Sequence, residues 1–175
     1  MDILSKLLLV GGVNETVDTT QPSTASAWAS IGIKDGALYF SANGFHQTSG
    51  GGESGGMALG SGELDLSVIP PGDVTITIKL DDEVWNAGYR FPGDIYQAVA
   101  IAYYPPNSTS APAPVFGQEN WPAEFDAPSF AEGGKNLVFI DKDDDQSTYE
   151  YSIAINKPGG ERIVLDPKIK NGGQD

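Results

Sequence analysis

The densest chemistry in the chain is Asp141-Lys142-Asp143-Asp144-Asp145, in which Asp141, Asp143 and Asp145 fall at alternate positions. A hard divalent cation needs several oxygen ligands from one short segment, and alternate carboxylates in a turn can converge on a single ion. With Glu150 as a fourth carboxylate they form a candidate calcium site, and calcium is the one cofactor the chain suggests. The fit to a helical calcium loop is partial. Gln146 stands where an EF-hand has glycine, Ser152 where it has a bidentate glutamate, and strand-like sequence flanks the cluster. The other use of the same residues is a solvated acidic hairpin tip, the commoner role of such a run.

No catalytic residue is assigned. Gly52-Glu53-Ser54-Gly55-Gly56 fits G-x-S-x-G and is similar to the G-D-S-G-G around the nucleophile of chymotrypsin-like proteases, with glutamate for aspartate. A serine nucleophile needs a base, and the only histidine is His46, upstream in the same glycine-dense stretch. That order and spacing match neither hydrolase class, and a glycine tract supplies neither the strand nor the helix of a nucleophile elbow. Paired carboxylates for glycoside cleavage are unreadable among 24 acidic residues.

Aromatic residues are the candidate binding groups. Trp121 and Phe125 belong to a proline-rich stretch and Tyr104 directly precedes it, and with Trp28, Trp85 and Tyr103 they offer rings on which a carbohydrate or a protein segment can stack. The same rings serve equally as core or loop anchors. Asn14-Glu15-Thr16 and Asn107-Ser108-Thr109 are glycosylation sequons, meaningful only in a eukaryotic secretory setting.

The chain of 175 residues carries a net charge of −14, from 24 acidic and 10 basic residues. Such a field repels phosphate backbones and anionic lipid, so nucleic-acid and membrane partners are disfavoured. Cysteine is absent, which excludes disulfides and thiolate metal sites. The apolar patch from Leu7 to Val10 is too short for a secretory signal or a membrane span, and reads as a first strand or short helix. The expected location is cytoplasmic, or outside the cell by a non-classical route.

The elements that must position these groups read as strands. The 22 glycines and 12 prolines favour short strands joined by turns. Residues 27–33 and 37–42 flank an Asp-Gly connection that suits a hairpin. Residues 63–68 alternate as E-L-D-L-S-V and 74–80 as V-T-I-T-I-K-L around Pro70-Pro71-Gly72-Asp73, the cleanest hairpin pattern in the chain. Trp85, Tyr89 and Phe91 fall at near-alternate positions, and the apolar run 96–104 predicts a central strand buried on both faces or a strand whose outer face meets another surface. Residues 149–155 alternate again, with Tyr149, Tyr151, Ile153 and Ile155 on one face. The expectation is an all-β, antiparallel two-sheet sandwich of the immunoglobulin-like kind, with nine or ten strands and no major helix. It forms a single domain over 1–175, with an N-terminal extension (1–26), a Gly-rich loop (43–62) and a Pro/aromatic loop (105–130).

The last third, from Leu137 to Asn171, runs as an apolar strand ending in D-K-D-D-D, then Y-E-Y-S-I-A-I, a glycine turn and V-L-D-P-K-I-K-N. It resembles the C-terminal halves of bacterial DP-EP family proteins, which are of unknown function, with Asp141, Asp143, Asp166 and Pro167 as the matching positions. G-S-G-E-L-D-L before P-G-D-V-T-I-T-I is more loosely similar to the inclusion-body protein family of bacteria, whose members are β-sandwiches. The expected function is a non-enzymatic structural protein that self-associates as an inclusion, coat or filament subunit through its surface and edge strands. The alternative is a ligand-binding module for carbohydrate or protein that uses the aromatic loop, with or without calcium.

Overall fold

A computed structural model describes residues 25–47, 62–66, 72–109, 112–142 and 147–170. The first hairpin follows from its turn chemistry. β1 (Ala25–Lys34) and β2 (Ala37–Gln47) are joined by Asp35 and Gly36, whose φ angles of 51° and 78° are the left-handed pair that a tight two-residue connection requires. The remaining strands are β3 (Leu64–Asp65), β4 (Val74–Leu80), β5 (Val99–Tyr104), β6 (Ser129–Ala131), β7 (Asn136–Asp141), β8 (Thr148–Asn156), β9 (Arg162–Leu165) and β10 (Lys168–Lys170), with a short helix α1 (Asp82–Asn86) after β4.

The strands form two sheets, ordered β2-β1-β4-β7-β6 and β3-β10-β8-β5, with β9 also on β8. Period-2 alternation determines what each sheet buries. Val74, Ile76, Ile78 and Leu80 of β4 and Leu137 and Phe139 of β7 face Leu64, Tyr151, Ile153 and Ile169 across one shared apolar core. The molecule is therefore an all-β fold of two packed sheets.

The pairing departs from expectation in several places. The sheets are mixed rather than antiparallel, because β1 runs parallel to β4 and β3 parallel to β10. The segments 63–68 and 74–80 do not form a hairpin. Leu64 and Asp65 pair with β10 in one sheet, while β4 lies between β1 and β7 in the other. Their alternation was legible because each strand buries one face, but alternation carries no record of the partner. Residues 82–86 form a helix, with Asp82 and Glu83 in its first turn where the dipole favours anions. The run after Tyr96 makes β5, which pairs only with β8 among the described residues and is an edge rather than a centre.

β2 is longer than its pattern suggests. The register passes from Ser30↔Ala42 to Ile31↔Phe40, so Ser41 is an extra residue, a β-bulge. The bulge shifts the parity by one and brings both Phe40 and Phe45 against the core. Residues 43–47 thus belong to a strand and not to the Gly-rich loop, and Ala25 and Ser26 belong to β1 and not to the extension. Likewise β6 (Ser129–Ala131) takes Ser129 and Phe130 from the Pro/aromatic loop. The Ser41 hydroxyl donates to Asp81 Oδ2 at 2.6 Å, which ties the bulge to the start of α1.

Candidate functional site

The acidic cluster begins at the end of β7. Asp141 follows Leu137 and Phe139 in parity, so its side chain lies on the core face and is fully buried. Its backbone runs between Val74 of β4 and Phe125 of the loop. Glu150 alternates with the buried Tyr149 and Tyr151 and so points to the other face of the second sheet, where it stands 3.8 Å from Lys168 Nζ. The two carboxylates therefore do not converge, as a shared cation would require. Asp143 and Asp145 lie outside the described residues, as do Ser54 and the patch 7–10. His46 is carried by β2.

Asp166 and Pro167 have a visible architectural role. The Ser152 hydroxyl donates to Asp166, and the Tyr151 N–H donates to the Pro167 carbonyl at 3.2 Å. Together they hold the corner between β9 and β10 against β8.

The aromatic loop turns inward. Phe125 is 3% exposed and meets Tyr149 edge-on at 5.0 Å and Phe139 at 6.0 Å. Trp121 is half-buried, packed at right angles to Phe139 and edge-on to Tyr96. Its indole N–H donates to the Phe125 carbonyl at 2.9 Å. These rings bridge β7 of one sheet to β8 of the other, which is the work of loop anchors, and Phe125 offers no ring face to a ligand. Trp28 and Trp85 are engaged as well. Trp28 lies over Gly44, where an added Cβ would come within 2.9 Å of the indole, and the Arg90 guanidinium stacks 3.5 Å from the Trp85 ring.

Tyr104 behaves differently, because it borders a cleft of about 410 Å³ lined by residues 103–107 with Ser147 and Thr148. β5 ends at Tyr104, and Pro105 to Ser108 then form a turn closed by the Ser108 N–H on the Pro105 carbonyl at 3.2 Å. Asn107, with φ 61°, supplies the left-handed residue at the third position of that turn, and Pro106 the fixed φ before it. The Tyr104 hydroxyl donates to the Ser108 carbonyl at 3.1 Å and braces the turn from below. Tyr103, 45% exposed, leans edge-on against Tyr149. The proline pair and the adjacent tyrosines were visible in the sequence, but their meeting with Ser147 and Thr148 depends on the pairing of β5 with β8.

A second, polar cleft of about 300 Å³ lies beside α1, lined by Ser30, Lys79, Asp81, Asp82, Glu132 and Lys135 among others. Two of its charges pair with each other, Lys135 with Asp82, and Asp81 accepts from the Ser41 hydroxyl.

No family model matches the chain, and neither does any curated protein. No helix among the described residues is long and apolar enough to cross a membrane.

Proposed function

We propose that this β-sandwich is a non-enzymatic building block that associates with further copies of itself by strand addition, chiefly along β2. The observation that carries this reading is the character of that edge. β2 is 11 residues long, pairs with β1 alone among the described residues, and contains no Asp, Glu, Lys, Arg or Pro. Sheet edges that must stay single are commonly blunted by lysine, proline, bulges or shortness. The bulge at Ser41 is the one such device here, and it leaves the straight run 42–47 beyond it. The opposite sheet has a similar edge in β5, V-A-I-A-Y-Y, also without charge or proline. The net charge of −14 opposes close approach of two copies, so association strengthens as salt or a divalent cation screens it.

Sedimentation velocity at low and physiological ionic strength tests this on the full chain. The parent protein sediments as assemblies that grow with salt, and Tyr39→Lys, which places a charge at a 40% exposed edge position, returns it to the monomer without loss of β-sheet circular dichroism. A parent that stays monomeric at every salt and calcium concentration overturns the proposal.

A further inference from the structure

The cleft at the end of β5 is independent of the strand edge along β2, and its chemistry is unusual for this chain. Every side chain that lines it is uncharged, in a protein of net charge −14. Among the described residues, Lys168 lies beside the Tyr104 ring, with Nζ 5.0 Å from its centre, and is paired with Glu150 at 3.8 Å. A charged ligand would meet no counter-charge on these walls. A purely apolar one would strip water from the Asn107 amide and the Thr148 hydroxyl without replacing their hydrogen bonds.

A ring with a hydroxyl tip, flanked by amide and alcohol groups, suits a molecule with apolar C–H faces and neutral hydroxyl edges. The rim is also rigid. Pro105 and Pro106 have fixed φ angles, the turn is closed by its own backbone bond, and the Tyr104 hydroxyl braces it from within. A preformed wall loses little entropy when a ligand seats against it. The volume of about 410 Å³ lies within the range of small-ligand sites. We infer that this cleft binds a neutral carbohydrate, with the exposed Tyr103 ring as stacking platform and Asn107, Ser147 and Thr148 as hydroxyl partners.

The test is titration of the isotope-labelled full chain with maltotriose, cellotriose and chitotriose in turn, followed by amide chemical shifts. A synthetic proline-rich peptide serves as the competing ligand class. Saturable shifts confined to the amides of Tyr103, Tyr104, Asn107, Ser147 and Thr148 with at least one saccharide are expected. Tyr103→Ala weakens binding about tenfold. Asn107→Gly, which retains the left-handed turn residue and therefore the fold, also weakens binding by removing the amide. Shifts that map elsewhere, no saturable response to any of the three saccharides, or saturation by the peptide alone would overturn the inference. The spectrum of each variant, set against that of the parent, reports whether it is folded, so a lost response in a misfolded Tyr103→Ala leaves Asn107→Gly to decide.

Discussion

The Phe125 ring stands edge-on to Tyr149 at 5.0 Å, so a residue from the proline-rich loop closes the core between the two sheets. Phe125 is buried among Trp121, Phe139 and Tyr149, and its own backbone bridges to Asp141 of β7. Truncation to alanine removes a buried ring that no neighbour can replace. Phe125→Ala is expected to cost about 3–5 kcal/mol. At this chain length that lowers the thermal midpoint by roughly 6–20 °C. Reversible urea or thermal unfolding measures it, and a loss below about 1 kcal/mol would show that the loop folds back over the gap.

The buried Tyr151 hydroxyl donates to the Gly62 carbonyl at 2.5 Å and ties the segment before β3 to the centre of β8. Burial raises its phenol well above the ordinary value of 10.0, since the phenolate would lack water. A group whose folded value is raised contributes stability that is complete below the unfolded value and is lost as pH climbs above it. Stability should therefore fall above about pH 10, as the unfolded chain ionises at this position while the folded one does not. Tyr151→Phe should be less stable by about 1–3 kcal/mol at neutral pH, through the abandoned carbonyl. The variant should also show a shallower alkaline decline than the parent in unfolding curves collected against pH.

Gly62 has φ +68°, and an added Cβ would sit 2.5 Å from the Phe40 ring. The clash and the left-handed backbone act together, so Gly62→Ala is expected to destabilise by about 1–3 kcal/mol or more. Gly36, with φ +78° and open space around it, isolates the backbone effect. Gly36→Ala should therefore cost less than Gly62→Ala in the same denaturation series.

Asp82 is exposed and paired with Lys135, whose hydrogen bond and charge hold its carboxyl below the ordinary 3.8. A depressed value means that the pair stabilises above the unfolded value, and that this contribution fades as pH falls through the folded one. Carboxyl-carbon NMR titration should give a midpoint for Asp82 below 3.8 that moves back up in Lys135→Met and in high salt. An unmoved midpoint in the variant would assign the shift to another source.

The strands most legible in the sequence were those that bury one face. Residues 74–80 alternate cleanly because each second side chain meets the core, 149–155 keep the same apolar parity although 151–155 are buried on both faces, and Asp-Gly at 35–36 marks its hairpin because few other residues accept two positive φ angles. The end of β2 was hidden by the bulge at Ser41, which breaks alternation while the strand continues. The helix α1 was hidden by its length, since five residues are too few to show a helical period beside Trp85 and Tyr89. The partner of Leu64 was hidden because a proline-glycine turn looks the same whether it closes a hairpin or carries the chain to another sheet.

The candidate site divides along the same line. By itself the sequence determined residue chemistry: carboxylates at alternate positions near 141–145, a pair of tyrosines at 103–104 ahead of a proline-rich loop, and a strand at 37–42 after an Asp-Gly turn. Only the tertiary structure decided which of these groups meet. It buried Asp141, turned Glu150 to the opposite face toward Lys168, folded Trp121 and Phe125 inward, and left Tyr103 at the mouth of a cleft. The physical reason is that strand parity is local, whereas which strands pair and which edge a loop covers depend on how two twisted sheets exclude water from a single core.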